Sequence, residues 1–296
     1  WSSIQEITHN KMEKLLQWSI AQQTGDKDAQ EKIGQPDPKM LLQLFGGPDE
    51  PTLMKQSMMV VSNPEATDED KEVALENFEM LIENLDNANN IENMKLWPMV
   101  IEQLYSTNQT FQVLSASIVA IATQNNPSSQ DAFVKQDRGL SKLIELASNT
   151  NTPAEVHLKS TFALASVIRN NEDAASKFIA SDGLACLELK NSLNDKKALV
   201  RKLSLISAVL STGSNVQRSE QIRHLNLMDH LITIVHPDSL SACIDKALNI
   251  ILQLKTLDYK FSDDELTKMK QSIGSIQPLA DQLSQEDLKL VGEILA

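Results

Sequence analysis

The chain has 296 residues with 27 basic and 40 acidic side chains, a net charge of −13, and only 4% aromatic residues. No stretch gathers the lysines and arginines into a stripe, so a polyanion would be repelled over most of the surface and nucleic acid is excluded as a partner. No run approaches the roughly 18 apolar residues of a membrane span, which excludes a membrane partner of that kind.

Taken in chain order, residues 1–24 carry a short apolar run from Met12 to Ala21. Within it, Lys14, Leu15, Leu16, Trp18 and Ile20 admit two readings. They form an amphipathic helix packed on the rest of the chain, or an apolar peptide offered to a groove elsewhere. Residues 25–51 then hold eight of the nineteen glycines and prolines, a density that interrupts helices and marks a flexible arm with one apolar island, Met40 to Phe45. Beyond Asp68 both residue types become sparse and helical periodicity takes over. Three zones follow: residues 1–24, a linker with the first short helices over 25–67, and a repeat domain over 68–296.

In that domain a leucine returns at nearly constant intervals: Leu96, Leu140, Leu184 and Leu227 are spaced 44, 44 and 43 residues apart. Each opens an apolar run, such as Leu140, Leu143, Ile144 and Ala147. A helical period of roughly 40–47 residues is the signature of armadillo or HEAT solenoids. A second helix precedes each leucine-led one: Ala74, Phe78, Leu81, Ile82 and Leu85 in the first copy, Leu114, Ile118, Ile121 and Ala122 in the second, and Leu158, Phe162, Ala165 and Ile168 in the third. These helices are expected to end at Asn89-Asn90, Asn125-Asn126 and Asn170-Asn171, because asparagine tolerates the left-handed backbone that stops a helix. Gly139 and Gly183, just before Leu140 and Leu184, are expected to allow a tight turn. The last copy, with Asp263-Asp264-Glu265 ahead of Ile276, reads as a terminal cap with a polar outer face. The expected fold is all-α, a right-handed superhelical solenoid of armadillo-like repeats behind a flexible N-terminal arm.

Solenoids present a long surface to a partner, so the candidates are contact residues. Arg169, beside Asn170-Asn171, and Arg201, read as standing at the head of a helix, are candidate anchors, since arginine is enriched where interfaces concentrate their energy. The competing reading pairs each with a carboxylate on its own helix. The asparagine pairs read as caps and inter-repeat ladders, as a row of donors and acceptors for a partner, or as both. Ala88 would leave a gap for close approach, or merely fit a turn. His224, His230 and His236, six residues apart, do not share a helical face and lack completing ligands, so no metal site is expected. Cys186 and Cys243 read as buried thiols in a reducing compartment. Asn108-Gln109-Thr110 fits a glycosylation sequon but is taken as chance, since no secretory signal opens the chain. No nucleophile elbow, phosphate-binding loop or HExxH motif occurs; catalysis and cofactors are not expected, and the location is expected to be cytoplasmic.

Longer motifs carry a resemblance. Met12-Glu-Lys-Leu-Leu-Gln-Trp-Ser-Ile20, Gly34-Gln-Pro-Asp-Pro38, Phe45-Gly-Gly-Pro-Asp49 with Pro51-Thr-Leu-Met54, and above all the run from Asn77 to Asn93 resemble the fungal Fes family, whose animal counterparts are the Hsp-binding-protein exchangers. The resemblance runs from Met12 to the C-terminus and weakens past residue 200. It implies a monomeric armadillo nucleotide exchange factor. Such a factor wraps its concave face around the second lobe of the nucleotide-binding domain of cytosolic heat-shock protein 70. It also implies that Asp86, Asn87, Ala88, Asn89, Arg169 and Arg201 belong to the contact surface, which Asn125, Asn126 and Asn170 extend. The segment with Lys14, Leu15, Leu16, Trp18 and Ile20 would act as a pseudo-substrate that helps clear clients. Two departures stand out. Trp1–Lys11 precedes the methionine at which the family usually begins and is taken as an upstream extension. Pro98 after Trp97 would start or kink that helix differently. The alternative is an armadillo peptide-binding scaffold, against which the missing tryptophan row counts.

Overall fold

In the computed structural model of the chain, residues 48–213 and 225–296 are described. The apolar segment and most of the arm expected over residues 1–47, and His224, lie outside them. The chain divides into two compact units, Trp1–Thr52 and Leu53–Ala296, and nearly all described residues belong to the second. Among the described residues all regular structure is helical.

The second unit is built from one long helix per repeat and shorter elements between. Helix α1 (Glu50–Ser62) buries Met54, Met58 and Val61. Helix α2 (Asp68–Leu81) starts where the Thr67 hydroxyl accepts from the Asp70 N–H, and its first turn carries Asp68, Glu69 and Asp70, all favourable at the positive end of the helix dipole. Then come α3 (Leu85–Asn93), α4 (Trp97–Leu104), α5 (Gln109–Thr123), α6 (Pro127–Val134), α7 (Asp137–Ser148), α8 (Ala154–Ile168) and α9 (Glu172–Ala180). Two short 3₁₀ turns, Gly183–Leu187 and Lys190–Ser192, lead into α10 (Lys196–Leu210). The unit closes with α11 (Leu227–Ile234), α12 (Ser241–Thr256), α13 (Asp263–Ser275), a 3₁₀ turn at Gln277–Gln282, and α14 (Gln285–Ile294). The long helices α2, α5, α8, α10 and α12 each pack on the next, forming one continuous row. Between them the recurrent leucines and aromatics fill the core: Leu140 and Leu227 are buried, and Trp97 meets Phe133 edge to face at 5.3 Å. Leu184 is half-buried, on the 3₁₀ turn that replaces a full helix in its repeat.

Several sequence expectations are corrected. The first apolar stripe is not one helix. Asn84 starts α3 by accepting from the Asp86 N–H, so the chain breaks at Ile82 and Leu85 is 60% exposed. Asn89 and Asn90 therefore lie inside α3, and Lys95 takes the left-handed backbone instead (φ 58°). Asn125 (φ 52°) and Asn170 (φ 57°) do end α5 and α8 as expected. The glycines are needed for space, not for a turn. Gly139 sits inside α7, where a Cβ would lie 2.9 Å from Ile101 and from the Phe133 ring. At Gly183 a Cβ would lie 2.4 Å from the Phe178 ring and 2.5 Å from the Phe178 carbonyl oxygen. Pro98 stands in the first turn of α4, where its missing N–H has no helical partner to lose, so it starts the helix without kinking it.

Both cysteines are buried and free. Burial pushes the Cys186 thiol up to about 12 and raises that of Cys243, which leaves both as neutral packing groups. The C-terminal repeat is capped: Ser262 and Glu265 form a reciprocal capping box at the start of α13, which buries only Met269. Its acidic first turn, Asp263, Asp264 and Glu265, faces the dipole of its own helix.

Candidate partner-binding face

The side chains marked in the sequence converge where α5, α8 and α10 stack. A depression of about 260 Å³ opens there, lined by Gln124, Asn125, Phe162, Ser166, Arg169, Arg201 and Ser204 among others. Arg169 caps the C-terminus of α8, its N–H donating to Ala165. Its guanidinium reaches across to α10, with Nη2 donating to the Ser204 carbonyl at 3.0 Å and Nη1 to Ser207 Oγ at 3.5 Å. Arg201 lies over the Phe162 ring at 4.3 Å, a cation–π contact that orients it between α8 and α10.

Neither arginine pairs with a carboxylate among the described residues, so the own-helix ion pair weighed from sequence is replaced by these cross-repeat contacts. Nor does Arg201 stand at a helix head: α10 begins at Lys196, more than a turn earlier. Half-burial lowers the Arg169 pKa. Burial, followed by the nearby charges of Arg169 and Arg201, also lowers that of Lys246 on α12. Three cations thus concentrate on one stretch of a chain whose net charge is −13. Such a stretch favours a carboxylate, with the Phe162 face fixing the guanidinium plane.

The asparagines divide by exposure. Asn125 is exposed and lines the depression. Asn126 is buried. Its Nδ2 donates to Asn89 Oδ1 (3.0 Å), Ala122 O (3.0 Å) and Ser129 Oγ (2.9 Å), while its Oδ1 accepts from the Ser129 N–H and caps α6. Asn170 is exposed, its N–H donating to Ser211 Oγ at 2.9 Å. Asn171 is buried one repeat on and repeats the ladder, donating to Asp131 Oδ1 at 2.8 Å and capping α9.

The first-repeat candidates are similarly split. Asp86 is exposed, but Asn87 and Ala88 are each only 3% exposed. Asn87 Nδ2 donates to the Leu81 carbonyl at 2.8 Å. The Ala88 carbonyl accepts from Ser129 Oγ at 3.3 Å, so this residue fills the core and leaves no surface gap. Asn89 is half-buried against Asn126.

Sequence reasoning missed Phe162 as a platform, having read it only as part of an apolar stripe, and missed Lys246 altogether. It also missed a polar relay across three long helices. Ser117 Oγ donates to Glu79 Oε1, and Lys159 Nζ donates to Ser117 Oγ at 3.1 Å. The available signal was separation by one repeat: the relay residues lie 38 and 42 positions apart. Trp97 is fully buried, so it contributes nothing to a surface tryptophan row. Among the described residues no His, Cys, Asp and Glu group is placed to hold a metal ion, and no helix is long and apolar enough to cross a membrane.

Comparison with known proteins agrees with this architecture. Designed armadillo repeat proteins superpose with TM-scores of 0.67 and 0.66 at 12% and 14% identity, each over 82% of this chain and nearly all of theirs; the second was solved with a (KR)4 peptide. The family model for nucleotide exchange factor Fes1 matches residues 12–91, and that for the SIL1/FES1/HPBP1 C-terminal domain matches residues 87–231. The Hsp70 nucleotide exchange factor FES1 of Scheffersomyces stipitis is 50% identical over 286 residues, covering 96% of this chain and 100% of that protein. Those of Candida albicans and Saccharomyces cerevisiae are 47% and 43% identical, over 94% and 96% of this chain and 97% and 100% of their own lengths. Whole-length identity at this level, on an armadillo scaffold built for contact, places the chain in the Fes1 family of nucleotide exchange factors, which are co-chaperones and not catalysts.

Proposed function

We propose that this chain serves a cytosolic Hsp70 chaperone as a monomeric exchange factor. In this reading it grips the chaperone's nucleotide-binding domain with the long-helix row and hastens ADP release. The observation that carries the reading is the cationic depression of Arg169, Arg201 and Phe162, a geometry suited to gripping an acidic protein surface. The mechanism is linkage. A factor that binds the open nucleotide cleft better than the closed one must weaken ADP by the same factor by which ADP weakens it, and couplings of about 1–3 kcal/mol correspond to roughly 5–150-fold. No side chain need reach the nucleotide.

Stopped-flow release of a fluorescent ADP analogue from the chaperone tests this directly. Saturating amounts of the chain should raise the release rate by at least about fivefold, the low end of such couplings. A rate that does not change at any concentration would remove the proposal. Asn125, Asn170 and Asp86 are exposed and can join the contact. Asn87, Ala88 and Asn126 support it from beneath. The N-terminal segment with Lys14, Leu15, Leu16, Trp18 and Ile20 is proposed to compete with clients as a tethered pseudo-substrate. Deleting residues 1–33 should then leave ADP release intact and slow client release; unchanged client release would dismiss that role.

A further inference from the structure

Helices α1 and α2, the first two among the described residues, leave an apolar groove that neither the packing of the array nor the cationic depression uses. It has a volume of about 850 Å³ and lies between α1 and α2, lined by Leu53, Val60, Val73, Met80 and Leu81 with Glu69 and Asp70 at its rim. Val60, Val73 and Met80 are 37%, 50% and 64% exposed. Val73 and Met80 stand seven residues apart on α2 and share one face of it.

The concentration is the unusual point. Five of the eight exposed large apolar side chains among the described residues fall between Met59 and Leu85. Helices α13 and α14 expose one such side chain, Leu290, whereas α1 and α2 expose four: Met59, Val60, Val73 and Met80. Contiguous exposed apolar surface rimmed by polar groups marks a binding site.

Charge selects the occupant. Helix α2 carries Asp68, Glu69, Asp70, Glu72, Glu76 and Glu79 against one base, Lys71. No Lys, Arg or His lines the groove. A second copy of the chain would oppose acidic rim to acidic rim and carry its own charge of −13 into the contact. A basic partner gains at both steps. We infer that the α1–α2 groove is a peptide-binding site for a short aliphatic segment flanked by lysine or arginine, the aliphatic side chains seated on Val60, Val73 and Met80 and the bases held by Glu69 and Asp70.

The test is fluorescence anisotropy of the full-length chain with a labelled peptide of four leucines and valines bearing two lysines at each end. Saturable binding is expected. It should weaken about tenfold in Val73→Asp/Met80→Asp, the size of loss that follows removal of central apolar anchors. A matched peptide with glutamates in place of the lysines should bind markedly more weakly. Circular dichroism melting checks that the double variant remains folded. Should it not fold, Glu69→Lys alone, at an exposed position, must reduce the preference for the lysine-flanked peptide. The inference is overturned by the absence of saturable binding, by equal binding of the two peptides, by a preference unmoved in Glu69→Lys, or by unchanged binding in the folded double variant. Sedimentation showing a concentration-dependent dimer that Val73→Asp/Met80→Asp abolishes would assign the groove to a second copy and overturn it as well.

Discussion

If the proposed function holds, Arg201→Ala should weaken binding to the chaperone's nucleotide-binding domain by about 30-fold or more, the loss of roughly 2 kcal/mol that marks an interface anchor. The cost to folding should be small, about 0.5–1 kcal/mol, because in the free chain the guanidinium makes one cation–π contact with Phe162. Arg201→Lys should recover only part of the affinity, since an ammonium cannot lie flat on the ring and present a planar fork. Arg169→Ala is expected to act in the same direction with a larger folding penalty, because it also frees the Ser204 carbonyl from its 3.0 Å bond. Titration calorimetry gives the affinities, and the ADP-release assay should show the same order at fixed concentration. Affinity in Arg201→Ala equal to that of the unaltered chain would move the interface off this depression. Ala88→Arg is a poorer probe. That residue is buried, so a guanidinium there would disrupt α3 before it met any partner.

The second large effect concerns neighbouring asparagines. Asn126→Ala should destabilise the chain by about 2–4 kcal/mol, combining a lost cap with buried groups left without partners. The side chain it removes makes four bonds, to Asn89, Ala122 and twice to Ser129, and so ties α3 to α6. Asn125→Gly should cost only a few tenths of a kcal/mol, because glycine adopts the left-handed backbone as readily. Asn125→Ala should cost about 1 kcal/mol through the strain of φ 52°. Urea unfolding followed by circular dichroism separates the three. Equal losses at positions 125 and 126 would contradict the division of labour drawn from their burial.

What was legible in the sequence was whatever repeats locally. The second and third apolar stripes and the helix-ending role of Asn125 and Asn170 rest on residues a turn or two apart, the leucine period rests on simple recurrence, and these appear in the fold apart from the third copy, where Leu184 lies on a 3₁₀ turn. What was not legible depends on how side chains pack in three dimensions, some of them close in sequence and some a repeat away. Gly183 looked like a turn residue because the sequence places Phe178 only five residues earlier without showing that its ring folds back over the glycine. Asn89 looked like a helix end because Asn84, five residues earlier, had not been recognised as a new start. For Arg201 the own-helix carboxylate weighed from sequence gives way to an aromatic ring on the preceding long helix. Lys246 went unnoticed because a lone lysine on an amphipathic helix is unremarkable until stacking sets it near Arg169 and Arg201.

The cross-repeat bonds have one more effect. Asn126 is completed by Asn89, Asn171 by Asp131, Gln130 by Ser166, and Arg169 by Ser204. Among the described residues neighbouring modules share polar partners, so excising or duplicating one of these units would strand donors on both sides of the splice. Where interchangeable consensus modules give an array whose length is adjustable, the length of this array is set by modules that each depend on their neighbours' side chains.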